Sequence, residues 1–250
     1  MNDTKIKQMY DALIHEIKDY FKKNNFKKAV VGLSGGLDSA ISAKLVADAI
    51  GKNNIHALIM PVKGLSSEEN IQDAIEFCTL NGIDYSLIFI NDSIKEFEKV
   101  DWKQNKIAKM NNISRVRGVM LYNYANSSTA LVIGTSNKTE ILLGYFTKYG
   151  DGAVDVEVIG DLFKTEAKEL AKFLEIPEKI VNKIPTAELY SGQTYEDELG
   201  ASYEDIDKIL RKISNNEDVD ENDQLVKKIR KRIKDNEHKR KMPLILKVKG

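Results

Sequence analysis

Cysteine is nearly absent from this chain. Cys78 is the only one among 250 residues, which excludes a disulfide framework and a cysteine-built zinc site. It follows Ala74, Ile75 and Phe77 on an apolar helix face, so a buried thiol is expected. Proline is scarce, and no stretch rich in proline or serine suggests a linker. No apolar run approaches the roughly 18 residues that a membrane helix needs. The segment from Met1 to Lys5 leads into an amphipathic helix rather than an apolar signal core, so a cytoplasmic protein without a membrane partner is expected. Net charge is missing as well. The 38 Lys+Arg balance 38 Asp+Glu, leaving no global field that would argue for nucleic acid. With 42% hydrophobic residues, the chain suits one large α/β domain, or a domain with an appendage.

Apolar spacing gives the order of elements. Ile6, Met9, Tyr10, Leu13, Ile14, Ile17 and Phe21 recur every three or four residues, which predicts a helix over 3–22. Strands are expected at 27–33, 54–60, 85–90 and 129–133. Helices are expected at 37–50, 66–80, 92–100, 111–126, 136–143, 164–174, 177–183, 202–214 and 222–236, with a loop at 144–160. Strands alternating with helices imply a doubly wound parallel sheet with helices on both faces. In such sheets a ligand sits outside the carboxyl ends of the strands. The expected core is 25–185, followed by a lid and helical segment at 186–250.

The densest chemistry lies at Gly32-Leu33-Ser34-Gly35-Gly36-Leu37-Asp38-Ser39. A strand runs into a glycine-rich turn and then a helix start, an arrangement that presents free backbone N–H groups to an anion. A Walker-A loop would need Lys before the hydroxyl, where this chain has Asp38. The G-x-G-x-x-G fingerprint is absent. The string Gly32-Leu33-Ser34-Gly35-Gly36 also fits a nucleophile elbow, but only one strand precedes it and neither His56 nor His238 brings an evident acid partner. A carboxylate such as Asp38 is tolerated beside a triphosphate when Mg²⁺ lies between them.

A second constellation runs from Gly134-Thr135 through Glu140 to Lys148, Asp151 and Asp155. Glu140 falls on the first turns of a helix, where it could join Asp38 at a metal. Lys148, Asp151 and Asp155 lie in a Gly-flanked polar loop of the kind that serves ligands.

The string Ser34-Gly35-Gly36-Leu37-Asp38-Ser39 resembles the loop of the ATP pyrophosphatase superfamily. Four further strings resemble NAD⁺ synthetases: Gly134-Thr135-Ser136-Asn137-Lys138-Thr139-Glu140, Gly144-Tyr145-Phe146-Thr147-Lys148-Tyr149-Gly150-Asp151-Gly152, Pro185-Thr186-Ala187-Glu188-Leu189 and Glu237-His238-Lys239-Arg240. The likeness spans about residues 5–245. Tyr195 departs from it, standing where the family usually has an acid. The resemblance implies an adenine nucleotide alpha-hydrolase-like (Rossmann-like) fold. It also implies ATP-dependent amidation of nicotinic acid adenine dinucleotide (deamido-NAD) by ammonia, through an adenylated carboxylate. In that reading Gly32 to Ser39, Thr135, Lys164 and Thr186 contact ATP, and Asp38 and Glu140 hold Mg²⁺. Arg115, Lys148, Asp155, His238 and Lys239 contact deamido-NAD.

Asp151 is the candidate to hold ammonium and accept its proton. Lys164 would stabilise charge moving onto pyrophosphate, although taken alone it reads equally as a solvated lysine at a helix start. Arg115 and Arg117 cannot share a helix face. Arg115 is preferred for the substrate, with Arg117 at the surface or a dimer boundary. Too few residues precede the loop for a glutaminase, so free ammonia is the expected donor. The resemblance also implies a homodimer, for which the apolar-striped helices 3–22 and 111–126 are candidate interface elements unless those stripes pack internally. The rivals are a tRNA-modifying ATP pyrophosphatase, gripping RNA with the basic tail, and a non-enzymatic ATP-binding module of the same fold.

Overall fold

A computed structural model describes residues 2–183 and 200–248. Five parallel strands form its sheet: β1 (Lys28–Gly32), β2 (Ile55–Ile59), β3 (Asp84–Leu87), β4 (Ala130–Gly134) and β5 (Val156–Glu157). Their order across the sheet is β3-β2-β1-β4-β5. β1 pairs on one side with β2, Val30 opposite His56, and on the other with β4, Val30 opposite Val132. Both central strands are buried on both faces, which is why their apolar runs are unbroken.

Side chains alternate along each strand and so divide between two cores. Ala29 and Val31 face α1 (Asp3–Lys23), α2 (Leu37–Ile50), α3 (Glu68–Asn81) and α7 (Lys164–Phe173). Val30 and Val132 face α5 (Lys106–Ser128), with Leu58, Met60, Ile113, Val116 and Leu121 around them. α2 is buried on nearly every side, at Leu37, Ala40, Ile41, Leu45 and Val46 among others. Between the cores' connections lie the short helices α4 (Asn91–Glu96), α6 (Lys138–Leu143) and α8 (Glu178–Val181). A third cluster, of Leu143, Phe163, Ile206, Leu210 and Ile229, fastens α9 (Tyr203–Ser214) and α10 (Gln224–Asp235) onto α6 and the start of α7.

Four details differ from the sequence reading. The expected loop 144–160 contains β5, only two residues long and too short to leave an alternating pattern. Helix α5 begins at Lys106 instead of about 111, because the Asn105 side chain caps it, accepting from Ala108 N at 2.8 Å. The third strand ends at Leu87, although Ile88 N still donates to Ile59 O at 2.8 Å. The apolar stripe of α1 is spent inside the chain, since Ile6, Ile17 and Phe21 belong to the core, so α1 does not offer that stripe to a second copy. Among the described residues, no helix is long and apolar enough to cross a membrane.

Candidate active site

The chain enters the sheet at β1, moves outward through β2 and β3, then returns to the other side of β1 as β4. The connections after β1 and β4 therefore diverge, and a crevice opens between them at the carboxyl ends of the strands. The turn 33–39 forms one wall and 135–140 the other. A cavity of about 670 Å³ lies there, within the range of roughly 300–1,000 Å³ usual for small-molecule sites.

The turn after β1 is held from within. Ser34 N donates to Ser39 Oγ at 3.2 Å, and Ser39 Oγ donates to Gly36 O at 3.0 Å. Gly36 N donates to Ser34 Oγ at 3.3 Å. Gly35 has φ +79°, and a Cβ on it would lie 2.1 Å from Asn70 O. Glycine is thus required there by conformation and by space. Gly36 is the N-cap of α2 and offers no side chain to cap it, so the helix start stays open to an anion. The Ser34 hydroxyl pairs with Ser39 Oγ and Gly36 N, while His56 pairs with Ser86 and stacks on Tyr124. The elbow reading therefore lacks its base.

Asp38, in the first turn of α2, receives the Lys164 ammonium on Oδ2 and Asn137 Nδ2 on Oδ1 at 3.4 Å. Lys164 is 5% exposed, not the solvated helix-start lysine that the sequence allowed. Its burial opposes the charge, yet Asp38 and Glu140 outweigh it and hold its pKa above the ordinary lysine value. Glu140 stands at the third position of α6 in a capping box with Asn137. Asn137 N donates to Glu140 Oε2 at 3.2 Å, and Glu140 N to Asn137 Oδ1 at 3.0 Å. Burial, and Asp38 after it, push the Glu140 carboxyl well above the usual carboxylate range. Among the described residues, no three His, Cys, Asp or Glu come together to hold a metal by themselves.

Farther along the cavity, Asp151 Oδ1 accepts from Ser114 Oγ at 2.5 Å and from Thr147 N at 3.0 Å. Lys239 Nζ donates to Gly144 O at 2.7 Å and Phe146 O at 2.9 Å, closing the segment that carries Asp151. Gly32, Leu33, Ser34, Gly36 to Ser39, Thr135, Glu140, Asp151, Lys164 and Lys239 all line this one cavity.

The remaining expected residues sit elsewhere. Arg115 is exposed and donates to Lys148 O at 3.4 Å, while Lys148 Nζ donates to His238 O at 2.6 Å. These three form a chain on the outer side of the loop. Asp155 is spent on the sheet edge, accepting from Val132 N at 2.7 Å and Tyr122 OH at 3.1 Å. Arg117, expected at the surface or a dimer boundary, lines the cavity, with Nε donating to Met60 O at 3.1 Å. Thr186 and Tyr195 lie outside the described residues.

Sequence reasoning missed several residues. Asn137 was legible as an N-cap three positions before an acid. Ser114 carried no signal, because its partner Asp151 is 37 positions away. Asp207 was equally silent. It is buried on α9, accepting from Thr139 Oγ1 at 2.5 Å and Thr165 N at 2.8 Å, and Thr139 Oγ1 in turn accepts from Lys164 N at 3.0 Å. That relay ties the helix bearing Glu140 to the helix bearing Lys164.

Known proteins resemble this chain in sequence and overall structure. A curated relative, the NH(3)-dependent NAD(+) synthetase of Archaeoglobus fulgidus, is 41% identical over 96% of this chain and 98% of its own length. The solved structure of an NH3-dependent NAD synthetase from Campylobacter jejuni superposes with TM-score 0.84 and 32% identity, covering 99% of this chain and 100% of that one. That of an NMN synthetase from Francisella tularensis does so with TM-score 0.88 and 32% identity, covering 97% and 99%. The NAD synthase family model matches residues 9–243. With the family model matching 9–243 and a relative 41% identical over nearly its whole length, the chain belongs to the NAD synthase family.

Proposed function

We propose that the chain is a ligase that amidates deamido-NAD to NAD⁺ with ammonia, consuming ATP and releasing AMP and pyrophosphate. One observation carries this reading: an open helix start, the buried Lys164 and one acid from each wall of the crevice, Asp38 and Glu140, converge on a single cavity. Ammonia attacks a carboxylate poorly because oxide is a poor leaving group, so the acid must first be activated. The turn 33–39 holds the β- and γ-phosphates through its backbone N–H groups and the Ser34 and Ser39 hydroxyls. A nicotinate carboxylate oxygen attacks the α-phosphorus, and pyrophosphate departs toward the helix start. Lys164 stabilises the charge that gathers on it. Ammonia then attacks the acyl carbon, AMP leaves, and Asp151 accepts the proton that the nitrogen loses. Thr135 belongs to the ATP side of the cavity and Lys239 to the dinucleotide side.

Mg²⁺ fits the donor set. Burial and the neighbouring Asp38 raise the cost of ionising Glu140, and one lysine does not neutralise two carboxylates. Two carboxylates completed by phosphate oxygens suit a hard divalent cation. When bound by Asp38 and Glu140, it would screen the triphosphate from both acids and polarise it.

A homodimer in the cytoplasm belongs to the same proposal. Trp102 and Val119, 66% and 67% exposed, support an interface along the outer side of α5 and the segment before it. Arg115, Lys148 and His238 would meet the dinucleotide there, with Asp155 holding Tyr122 and the β4 edge beneath them.

The test is pyrophosphate release by the purified full chain from ATP, with deamido-NAD and ammonium. Release that requires all three is the expected result. Release without the dinucleotide, or equal support by glutamine in place of ammonium, would refute the assignment. Nicotinic acid mononucleotide makes the second arm, because one solved relative bears the name NMN synthetase. Preference for the mononucleotide would move the substrate from dinucleotide to mononucleotide.

A further inference from the structure

Lys183 lies just beyond α8 and 148 positions after Gly35, yet it touches the back of the phosphate turn. Its ammonium donates to Gly35 O at 3.3 Å, to Asn70 Oδ1 at 2.5 Å and to Asp73 Oδ2. An ammonium has three protons, and these three acceptors use them all. Asp73 is 2% exposed, and its other oxygen receives Lys179 at 2.7 Å, while Lys179 also reaches Glu76 at 2.6 Å. Burial works to raise the Asp73 pKa, but the hydrogen bonds from Lys179 and Lys183 outweigh it and hold it below the ordinary value. Asp73 therefore remains ionised near neutrality.

The position of the Gly35 carbonyl matters for binding. In a planar trans peptide, C=O and N–H point in opposite directions. When Gly35 O is held toward Lys183, the Gly36 N–H is directed to the other side, where it meets Ser34 Oγ. Gly35 carries no side chain and sits at positive φ, so little besides these contacts prevents the 35–36 peptide from turning over. A turned peptide would present a carbonyl oxygen to an anion.

We propose that Lys183, anchored by Asp73 and Asn70, is a positioning residue that fixes the Gly35–Gly36 peptide so that its N–H serves the pyrophosphate site. The proposal rests on the reading of residues 33–39 as the pyrophosphate turn. Its size is that of one charge-assisted hydrogen bond, about a tenfold change in affinity.

The experiment is calorimetric titration of inorganic pyrophosphate with Mg²⁺ into the full chain, together with steady-state ATP kinetics. The proteins are wild type, K183M, K183R, D73N and S39A. Expected in K183M are a pyrophosphate Kd and an ATP KM about tenfold higher, with a smaller change in kcat and partial recovery in K183R. An unchanged Kd in K183M overturns the proposal. D73N leaves the cation in place but unanchored, so it is expected to weaken pyrophosphate binding. Unchanged or tighter binding in D73N means that Lys183 acts as a free charge, which overturns positioning even if K183M fails to fold. S39A separates the underlying reading: if S39A binds pyrophosphate as well as wild type, the turn itself has been misassigned.

Discussion

Replacing Glu157 by Gln will flatten the pH dependence of folding stability between about pH 4.5 and pH 7. Glu157 lies on the edge strand β5, partly buried, and its Oε2 accepts from Ser136 N at 3.0 Å. Gly134 makes the approach possible, since a Cβ there would lie 2.2 Å from Oε2. Burial pushes the Glu157 carboxyl from its ordinary 4.5 up to about 7, against the opposing Ser136 hydrogen bonds. The unfolded chain releases this proton near the ordinary value, whereas the folded chain keeps it to about 7. The contribution is therefore fully present below about pH 4.5 and is lost as pH rises through about 7. A difference of about 2.5 pH units at about 1.4 kcal/mol each gives about 3.5 kcal/mol. Partial solvent contact reduces that to about 2 kcal/mol. Urea unfolding at several values between about pH 5 and pH 8 measures it. The gap between E157Q and wild type is expected to move by about 2 kcal/mol in favour of E157Q across that range, because Gln keeps an acceptor for Ser136 and never ionises. Parallel stability profiles for the two proteins would refute the reasoning.

G35A places a side chain at φ +79° and 2.1 Å from Asn70 O, so a loss of about 2 kcal/mol or more in urea unfolding is expected, with weakened ATP binding by titration. Wild-type values for both would show that the turn is not held as described. K164M removes the cation between Asp38 and Glu140, and kcat is expected to fall by about 10²–10³, read as single-turnover pyrophosphate release. An unchanged rate would remove Lys164 from the chemistry. Burial pushes the Cys78 thiol up to about 12, so it is expected to resist thiol reagents until the protein unfolds, which labelling with and without urea will measure.

The contrast between Asp38 and Asp207 shows what could be read from the residues. Asp38 announced itself, because an acid in a glycine-rich turn after an apolar strand conflicts with bound phosphate unless a cation intervenes. Asp207 sits on an ordinary amphipathic helix, and its two partners, Thr139 and Thr165, are 68 and 42 positions away. Lys164 was ambiguous for the same reason: a lysine at a helix start reads as solvated until Asp38, 126 positions earlier, is placed against it. Arg115 and Arg117 could be told apart only once α5 was laid against the sheet, which turned Arg117 toward Met60 O and left Arg115 outside.

Local order was therefore settled along the chain itself. Apolar spacing selected the helices and strands, glycines permitted the tight turn, and short-range caps such as Asn137 with Glu140 set where α6 begins. These depend on neighbours within a few positions, which a sequence displays directly. The strand order β3-β2-β1-β4-β5, the crevice it opens, the burial of Lys164 and the grip of Lys183 on Gly35 came only with the tertiary structure. Each depends on the field and packing of residues brought together from distant segments, and no spacing along the chain encodes those distances.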